Sequence, residues 1–335
     1  MIRRLARCIR EYKWAALLSP LCMVGEVAME VLIPLVMADL YDYGIKMQDM
    51  QVVAAKSGIL VLCALASLSF GVLSAAFASK AGTGFAKNLR HDMFERIQRY
   101  SFENIDKFSS SSLVTRMTTD VSNVQMAFMM IIRTAIRAPL MLIFSIVMAY
   151  ILGGALATSF VVIIPLLVFG LIMIARKAMP AFRRVFKKYD RLNESIEENV
   201  RGMRVVKGFS REEHEKEKFG AAAEDIRKDF TRAERIVALN MPLMQCCLYF
   251  NMIFVLLVGS RLIITSGAQT INVGEMSAML TYGVQILMQL MMISMIYVML
   301  TMSGESMKRI DEVLTEIPAF QNPQAAVTEV PDGSI

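Results

Sequence analysis

The stretch APLMLIFSIVMAYILGGALATSFVVIIPLLVFGLIMIA, residues 138–175, decides the fold. It runs for 38 residues without one charged side chain. About 20 apolar residues suffice to cross ~30 Å of hydrocarbon. As a single helix this run would reach about 57 Å at 1.5 Å per residue. It must therefore be two helices that turn at Gly153-Gly154. Three more charge-free windows occupy 57–79, 236–260 and 276–304, and the run 14–38 is interrupted only by Glu26 and Glu30. The count is six spans. They read as 14–39, 52–80, 124–151, 156–176, 236–262 and 275–303.

Composition agrees. The 335 residues are 55% hydrophobic, with a mean hydropathy of +0.48, which excludes an ordinary soluble domain. Cys8, Cys22, Cys63, Cys246 and Cys247 lack metal-ligand spacing, and only His91 and His214 could join them, so no metal site is expected. The net charge of +6 belongs to loops that stay cytoplasmic, and a nucleic-acid partner is not expected.

The loops also orient the chain. Residues 1–13 carry Arg3, Arg4, Arg7, Arg10 and Lys13 against Glu11, and 176–235 carries 17 Lys/Arg against 12 Asp/Glu. The turns at 152–155 and 262–275 contain no charge but Glu275. Both termini are expected to be cytoplasmic and the short turns outside. A cleaved signal peptide is not expected, because the first apolar run is too long and carries two carboxylates. Residues 1–13 read as an amphipathic interfacial helix, with Ile2, Leu5, Ile9 and Tyr12 on one stripe. Excursions 81–123 and 177–235 are charged and helical in pattern, long enough to extend about 30 Å past the bilayer. Pro318, Pro323, Pro331 and Gly333 mark 318–335 as a linker.

With these residues in place, the chain resembles the transmembrane half of an ABC exporter. Phe108-Ser-Ser-Ser-Ser-Leu113-Val-Thr-Arg116-Met-Thr-Thr-Asp120-Val121 is similar to the family's first coupling region, with Ser111 where glycine is usual. The segment from Glu197 through Gly202, Val205-Val206-Lys207 and Phe209 to Glu213 is similar to the second. Lys308-Arg309-Ile310-Asp311-Glu312-Val313-Leu314 resembles the helix that leads to the nucleotide-binding domain. Pro20 to Glu30, Arg133 to Pro139 and the serine-rich segment look most like bacterial heterodimeric multidrug exporters.

The resemblance implies an all-α membrane protein with the ABC exporter transmembrane fold: six transmembrane helices with long cytoplasmic helical extensions. Residues 14–317 form that domain, with coupling regions near 104–116 and 205–215. It implies ATP and magnesium bound by nucleotide-binding domains, a second half-transporter, an amphipathic small-molecule substrate and a bacterial plasma or inner membrane. This sequence has no Gly-Lys dipeptide, so it holds no phosphate-binding loop, and its one Gly-Gly lies in an outer turn. No catalytic residue or cofactor is expected in it; it reads as a truncated half-transporter whose ATPase domain would begin near Gly333-Ser334-Ile335.

Several polar groups fall at membrane depth. Glu26 and Glu30, four apart, share a helix face. An ionised carboxylate facing lipid costs about 2.5–3.5 kcal/mol. Both should meet a cavity or a partner: either a cationic ligand, or Arg133 and Arg137 as structural counter-ions. By depth from the outer ends, about 18 Å for Glu26 and about 21 Å for Arg137, a Glu26–Arg137 pair is expected. Asn251, Gln285 and Gln289 serve substrate contact or helix–helix hydrogen bonding. Met288 and Met292, from 28 methionines in all, suit promiscuous apolar binding or plain packing.

By resemblance, Phe108, Ser109, Ser110, Ser111, Ser112 and Leu113, and Phe209, Ser210, Arg211, Glu212 and Glu213, contact the ATPase domains. An apolar tip with polar flanks suits such a contact; a solvated turn is the plainer reading. The function this supports is ATP-driven efflux by alternating access. A stand-alone permease with a separate ATPase chain, or a non-transporting membrane interaction protein, are the rival readings.

Overall fold

A computed structural model describes residues 1–267 and 269–318, with the side chains of Ile2 and Ala155 excepted. The linker read at 318–335 lies outside them from residue 319 on. The described residues are helical throughout, with no strand: α1 (Ile2–Arg7), α2 (Lys13–Asp39), α3 (Met50–Gln98), α4 (Phe102–Phe108), α5 (Ser110–Thr115) and α6 (Val121–Ile132) come first. Then follow α7 (Thr134–Gly153), α8 (Thr158–Arg201), α9 (Met203–Gly208), α10 (Glu212–Ala238), α11 (Asn240–Ser266) and α12 (Val273–Thr315).

Six helical runs are long and apolar enough to cross a membrane: Arg10–Ile45, Met50–Gln98, Ser110–Gly153, Thr158–Arg201, Glu212–Ser266 and Val273–Thr315. They hold 36 to 55 residues each, about 54–82 Å of helix against ~30 Å of hydrocarbon. Each charged excursion therefore continues a span as helix. The runs are not plain α-helix throughout: the first opens with a 3-10 turn at Arg10–Tyr12 and the fifth is interrupted at Leu239. The third span is broken at Arg133 (φ −115°, ψ −72°), between α6 and α7. Wide π-type turns occupy Leu40–Ile45 and Arg116–Asp120.

The chain divides into two compact units: Met1–Ser145 with the chain from Met288 on, and Ile146–Leu287. In the first, α2 and α3 form a hairpin. Buried Ala15, Ser19, Met23, Glu26, Val27 and Val31 make the inner stripe of α2. They face a small-residue stripe of α3, Ser74, Ala78 and Ala81, that lets the backbones approach. Ser19 Oγ donates to the Ser74 carbonyl and Ser74 Oγ to that of Ser19, both at 3.1 Å. The hydroxyls thus satisfy each other in an apolar wall that offers no water.

Below the spans of this unit lies a second core. Leu5 and Cys8 pack with Phe85, Leu89, Met93, Phe108, Leu113, Ile310 and Val313. The N-terminal helix ends at Arg7 and a 3-10 turn follows at Arg10–Tyr12, so the stripe read over 2–12 is not one helix. Its apolar side, at Leu5, is taken up by the chain's own core. Arg4 pairs with Asp311 at 3.3 Å and Arg10 with Asp92 at 2.8 Å, fixing the segment to α12 and α3.

In the second unit α8 packs against α10 and α11. Phe182 and Phe230 meet edge to face at 6.0 Å, and Lys188 pairs with both Asp225 and Asp229 at 2.7 Å. The glycine turn forms where the length of 138–175 requires it. α7 ends at Gly153, a 3-10 turn runs Gly154–Ala157, and Gly154 has φ +47°.

Candidate functional site

Two polar constellations stand out, both in the first unit. The first lies among the spans. Glu26 and Glu30 are one turn apart on α2, and Arg137 lies in the first turn of α7, just past the break at Arg133. Arg137 Nη2 donates to both oxygens of Glu30, at 2.7 and 2.6 Å. Its Nε lies 3.6 Å from Glu26 Oε1. The arginine serves both carboxylates, but its hydrogen bonds go to Glu30, not to the Glu26 that depth counting selected. Glu26 is the more buried of the two, and its Oε2 has no hydrogen-bond partner. That oxygen faces Gly71, where a Cβ would stand 3.2 Å away. Arg133 is half-buried at the helix break.

The second constellation joins α4, α5 and the wide turn after them to the end of α12. Ser101 caps α4 and Ser109 caps α5, accepting from Ser112 N at 3.3 Å. Ser109 takes φ +57°, which turns the chain sharply between the two helices. Across the wide turn Arg116–Asp120, Arg116 and Asp120 both reach α12. Asp120 is fully buried and accepts from Arg309 Nε at 2.7 Å, Arg309 Nη2 at 2.5 Å and Ser306 Oγ at 2.9 Å. Arg116 Nη1 donates to the Arg309 carbonyl at 2.6 Å and to Glu312 at 2.8 Å. Its guanidinium lies 4.9 Å from the centre of the Phe108 ring. Farther along, Lys107 pairs with Glu316 at 2.8 Å and Tyr100 Oη donates to the Val313 carbonyl at 2.8 Å.

Electrostatics follow the geometry. Burial alone would raise the Asp120 carboxyl, but the hydrogen bonds from Arg309 and Ser306 hold it below the ordinary range. Arg309 is shifted up by the same bond. Burial pushes the Tyr100 phenol up to about 12, with Glu316 adding to the rise. A cavity of about 370 Å³ opens beside the clamp, lined by Ser111, Ser112, Thr115, Arg116, Asp120 and Arg309.

The other expected site residues are placed as follows. Phe108 and Leu113 turn inward, at 9% and 7% exposure, so the apolar tip read there is not at the surface. Phe108 stacks on Tyr100 at 5.8 Å between ring centres, and Ser109, Ser110 and Ser111 are what the segment exposes. In the second unit, by contrast, Phe209 is 77% exposed between polar neighbours Ser210, Arg211, Glu212 and Glu213, all exposed. There the apolar tip exists. Asn251 is buried on α11 with its amide against Gly283 of α12, and its Oδ1 lacks a partner. Gln285 is half-buried in the second unit, while in the first Gln289 is half-buried and Met288 and Met292 are exposed.

Sequence reasoning quoted Arg116, Asp120 and Arg309 as motif residues and did not give them a site role. Their spacing alone does not bring them together: Arg116 and Arg309 lie 193 positions apart. Gly71 carried no signal, because its role depends on which carboxylate oxygen stands beside it. Among the described residues no cluster of His, Cys, Asp or Glu could hold a metal ion.

Comparison with known proteins agrees with this architecture. The ABC transporter transmembrane region matches residues 16–291. The chain is 30% identical over 306 residues to the uncharacterized ABC transporter ATP-binding protein YfiB of Bacillus subtilis (strain 168), covering 91% of this chain and 53% of that protein. An uncharacterized ABC transporter ATP-binding protein of Mycobacterium tuberculosis (strain CDC 1551 / Oshkosh) is 30% identical over 331 residues, 96% of this chain and 55% of its own length. The chain thus spans about half the length of the curated relatives it matches. With six spans, helical excursions and this match over most of its length, the chain belongs to the ABC transporter transmembrane family and is a multi-pass membrane protein.

Proposed function

We propose that this chain is the substrate-pathway half of an ATP-driven exporter that moves amphipathic small molecules by alternating access. In this reading it sits in a bacterial plasma membrane with both termini cytoplasmic and pairs with a second half-transporter. Nucleotide-binding domains that bind ATP and magnesium drive it, and this chain supplies no catalytic residue. Ser109–Ser112 and Phe209–Glu213 are the segments offered to those domains. Glu26, Glu30, Arg133, Arg137, Asn251, Gln285, Met288, Gln289 and Met292 contribute to the pathway.

One observation supports the reading best. The first coupling segment is tied to the end of the last span by Arg309 on Asp120 and by Arg116 on Glu312. A bidentate arginine–carboxylate pair fixes orientation as well as distance. Displacing α5 therefore moves α12 as one piece, which is what a rearrangement between two packed states needs.

The test uses inverted membrane vesicles from cells that express the full-length polypeptide with its partner half. An amphipathic fluorescent dye should accumulate on ATP addition, and Asp120→Ala should cut the rate about tenfold or more while leaving the protein in the membrane. No ATP-dependent accumulation with any of a panel of cationic, neutral and anionic dyes sinks the efflux reading. Accumulation only when a separate ATPase chain is added would favour the stand-alone permease.

A further inference from the structure

The basic N-terminal segment of the first unit is unequally served by its acids. Arg4 pairs with Asp311 at 3.3 Å and Arg10 with Asp92 at 2.8 Å. Arg3, Arg7 and Lys13 are exposed and form no ion pair among the described residues. Glu11 is the one acid among residues 1–13, and it is drawn back to α3, where Asn88 Nδ2 donates to it at 3.4 Å.

The helix period explains which way the free cations face. Arg3 and Arg7 are four apart and share one face of α1, while Leu5, two residues from each, lies about 200° round the helix. Leu5 and Cys8 are buried in the core that α3 and α12 supply. The Arg3–Arg7 face therefore points away from the protein. An interfacial helix ordinarily sinks an apolar side into the acyl boundary. In α1 that side is taken up by the chain's own core, and what remains outward is mainly charge.

The level of these charges in the membrane can be read from their neighbours. Arg10 takes φ +41°, so α1 does not continue the axis of α2. Lys13 opens α2, and beside it Trp14 is 66% exposed, with Leu17 and Leu21 exposed on the same stripe. A tryptophan facing outward at the start of an apolar stripe marks the headgroup level. Ala15 packs with Ala81 of α3, and the core that holds Leu5 includes Phe85, four residues farther on. That step is about 6 Å of helix, less than the ~8–10 Å over which a charge is felt at physiological salt.

We propose that Arg3, Arg7 and Lys13 form a docking face for the headgroups of anionic phospholipids, and that this docking steadies the end of α12. The lipid phosphate accepts from the guanidinium and ammonium groups. A zwitterionic headgroup offers the same phosphate but cancels its charge, so net-anionic lipids are preferred. Arg4 on the same helix holds Asp311, and Leu5 shares its core with Ile310 and Val313. A docked α1 therefore holds the stretch of α12 that also carries Arg309 of the clamp. Transport is not required for this docking, only a membrane.

The experiment follows hydrogen exchange of residues 2–9 and 306–316 in the full-length polypeptide. Nanodiscs of phosphatidylcholine alone are compared with discs of roughly one-third phosphatidylglycerol. Each basic side chain near an anionic surface is worth about fivefold in binding. Phosphatidylglycerol should slow exchange in both segments about threefold or more. About 1 M NaCl should erase the difference, because charges are then screened beyond about 3 Å. The triple variant Arg3→Gln, Arg7→Gln, Lys13→Gln should exchange at the phosphatidylcholine rate in either disc. The salt arm uses the unsubstituted protein and keeps the test sound should the triple variant misfold. Equal exchange in the two discs, or slowing that survives salt or the triple variant, overturns the docking face. Slowing in 2–9 alone overturns the link to α12. Equal slowing by millimolar inorganic phosphate in phosphatidylcholine discs makes the occupant a free anion and overturns the lipid assignment.

Discussion

Asp120 and Arg309 form the clamp that joins the turn after α5 to α12, and their burial is unequal. Asp120 is fully buried, whereas the Arg309 side chain is 48% exposed. Removing the arginine strands a carboxylate out of water; removing the acid leaves a guanidinium that water can reach. Arg309→Ala should therefore cost about 3–5 kcal/mol and Asp120→Ala about 1–3 kcal/mol. Thermal unfolding in nanodiscs should rank the two in that order, and the reverse order would refute the clamp as described. The pH dependence has a definite sign. Because Asp120 is held below the ordinary value, its contribution is complete above about 3.9 and is lost as pH falls through the folded value. Between pH 5 and 8 the clamp should be insensitive to pH, and Asp120→Asn should lower stability by a constant amount across that range. Residue identities alone could not reveal this clamp. Arg116 and Arg309 lie 193 positions apart, and only the path of the chain brings them together. The expected Glu26–Arg137 ion pair is present at 3.6 Å, but the hydrogen bonds of Arg137 go to Glu30. Counting rises placed Arg137 at the right level, but a long side chain spans a helical turn and chose Glu30 for its hydrogen bonds.

Among the elements, the six spans were legible because exclusion of charge over 20 or more residues has no other common cause. The turn at Gly153-Gly154 was legible from length alone. The break at Arg133 was not: nothing in Ile132-Arg133-Thr134 forbids a helix, and Pro139 lies six residues beyond it. The wide turns at Leu40–Ile45 and Arg116–Asp120 were equally silent, since a single extra residue per turn leaves no compositional mark. Glycines separate packing from propensity at this scale. A Cβ at Gly283 would overlap the Asn251 amide and stand 3.2 Å from Phe160. Gly220, on the exposed face of α10, has nothing within 4 Å. Gly283→Ala should therefore destabilise by about 1–3 kcal/mol through overpacking. Gly220→Ala should stabilise by up to about 1 kcal/mol through helix propensity. Opposite shifts in melting temperature would support the close α11–α12 approach; a harmless Gly283→Ala would remove it.

For the whole molecule, the alternation of short and long connections is the feature with the widest consequence. Two of its short turns, Gly154–Ala157 and the segment between Ser266 and Val273, carry no lysine or arginine, while α1 is rich in arginine and the lower half of α3, α10 and the end of α12 carry both lysine and arginine. Translocating basic segments is unfavourable, so the basic ends should share the cytoplasmic side. Under the proposed function, α5 and the exposed Phe209 tip, which lie on the same sides of the spans as these basic segments, are the parts offered to ATPase domains. Cysteines introduced at Ser109 and at Thr270 test the arrangement against the unsubstituted chain as background, since both positions are exposed. A membrane-impermeant maleimide applied to intact cells should label Thr270→Cys at once. Ser109→Cys should react only after the membrane is opened. Labelling of Ser109→Cys in intact cells would place the coupling segments outside. No ATP-driven partner could then engage them, and the exporter reading would fall with the topology.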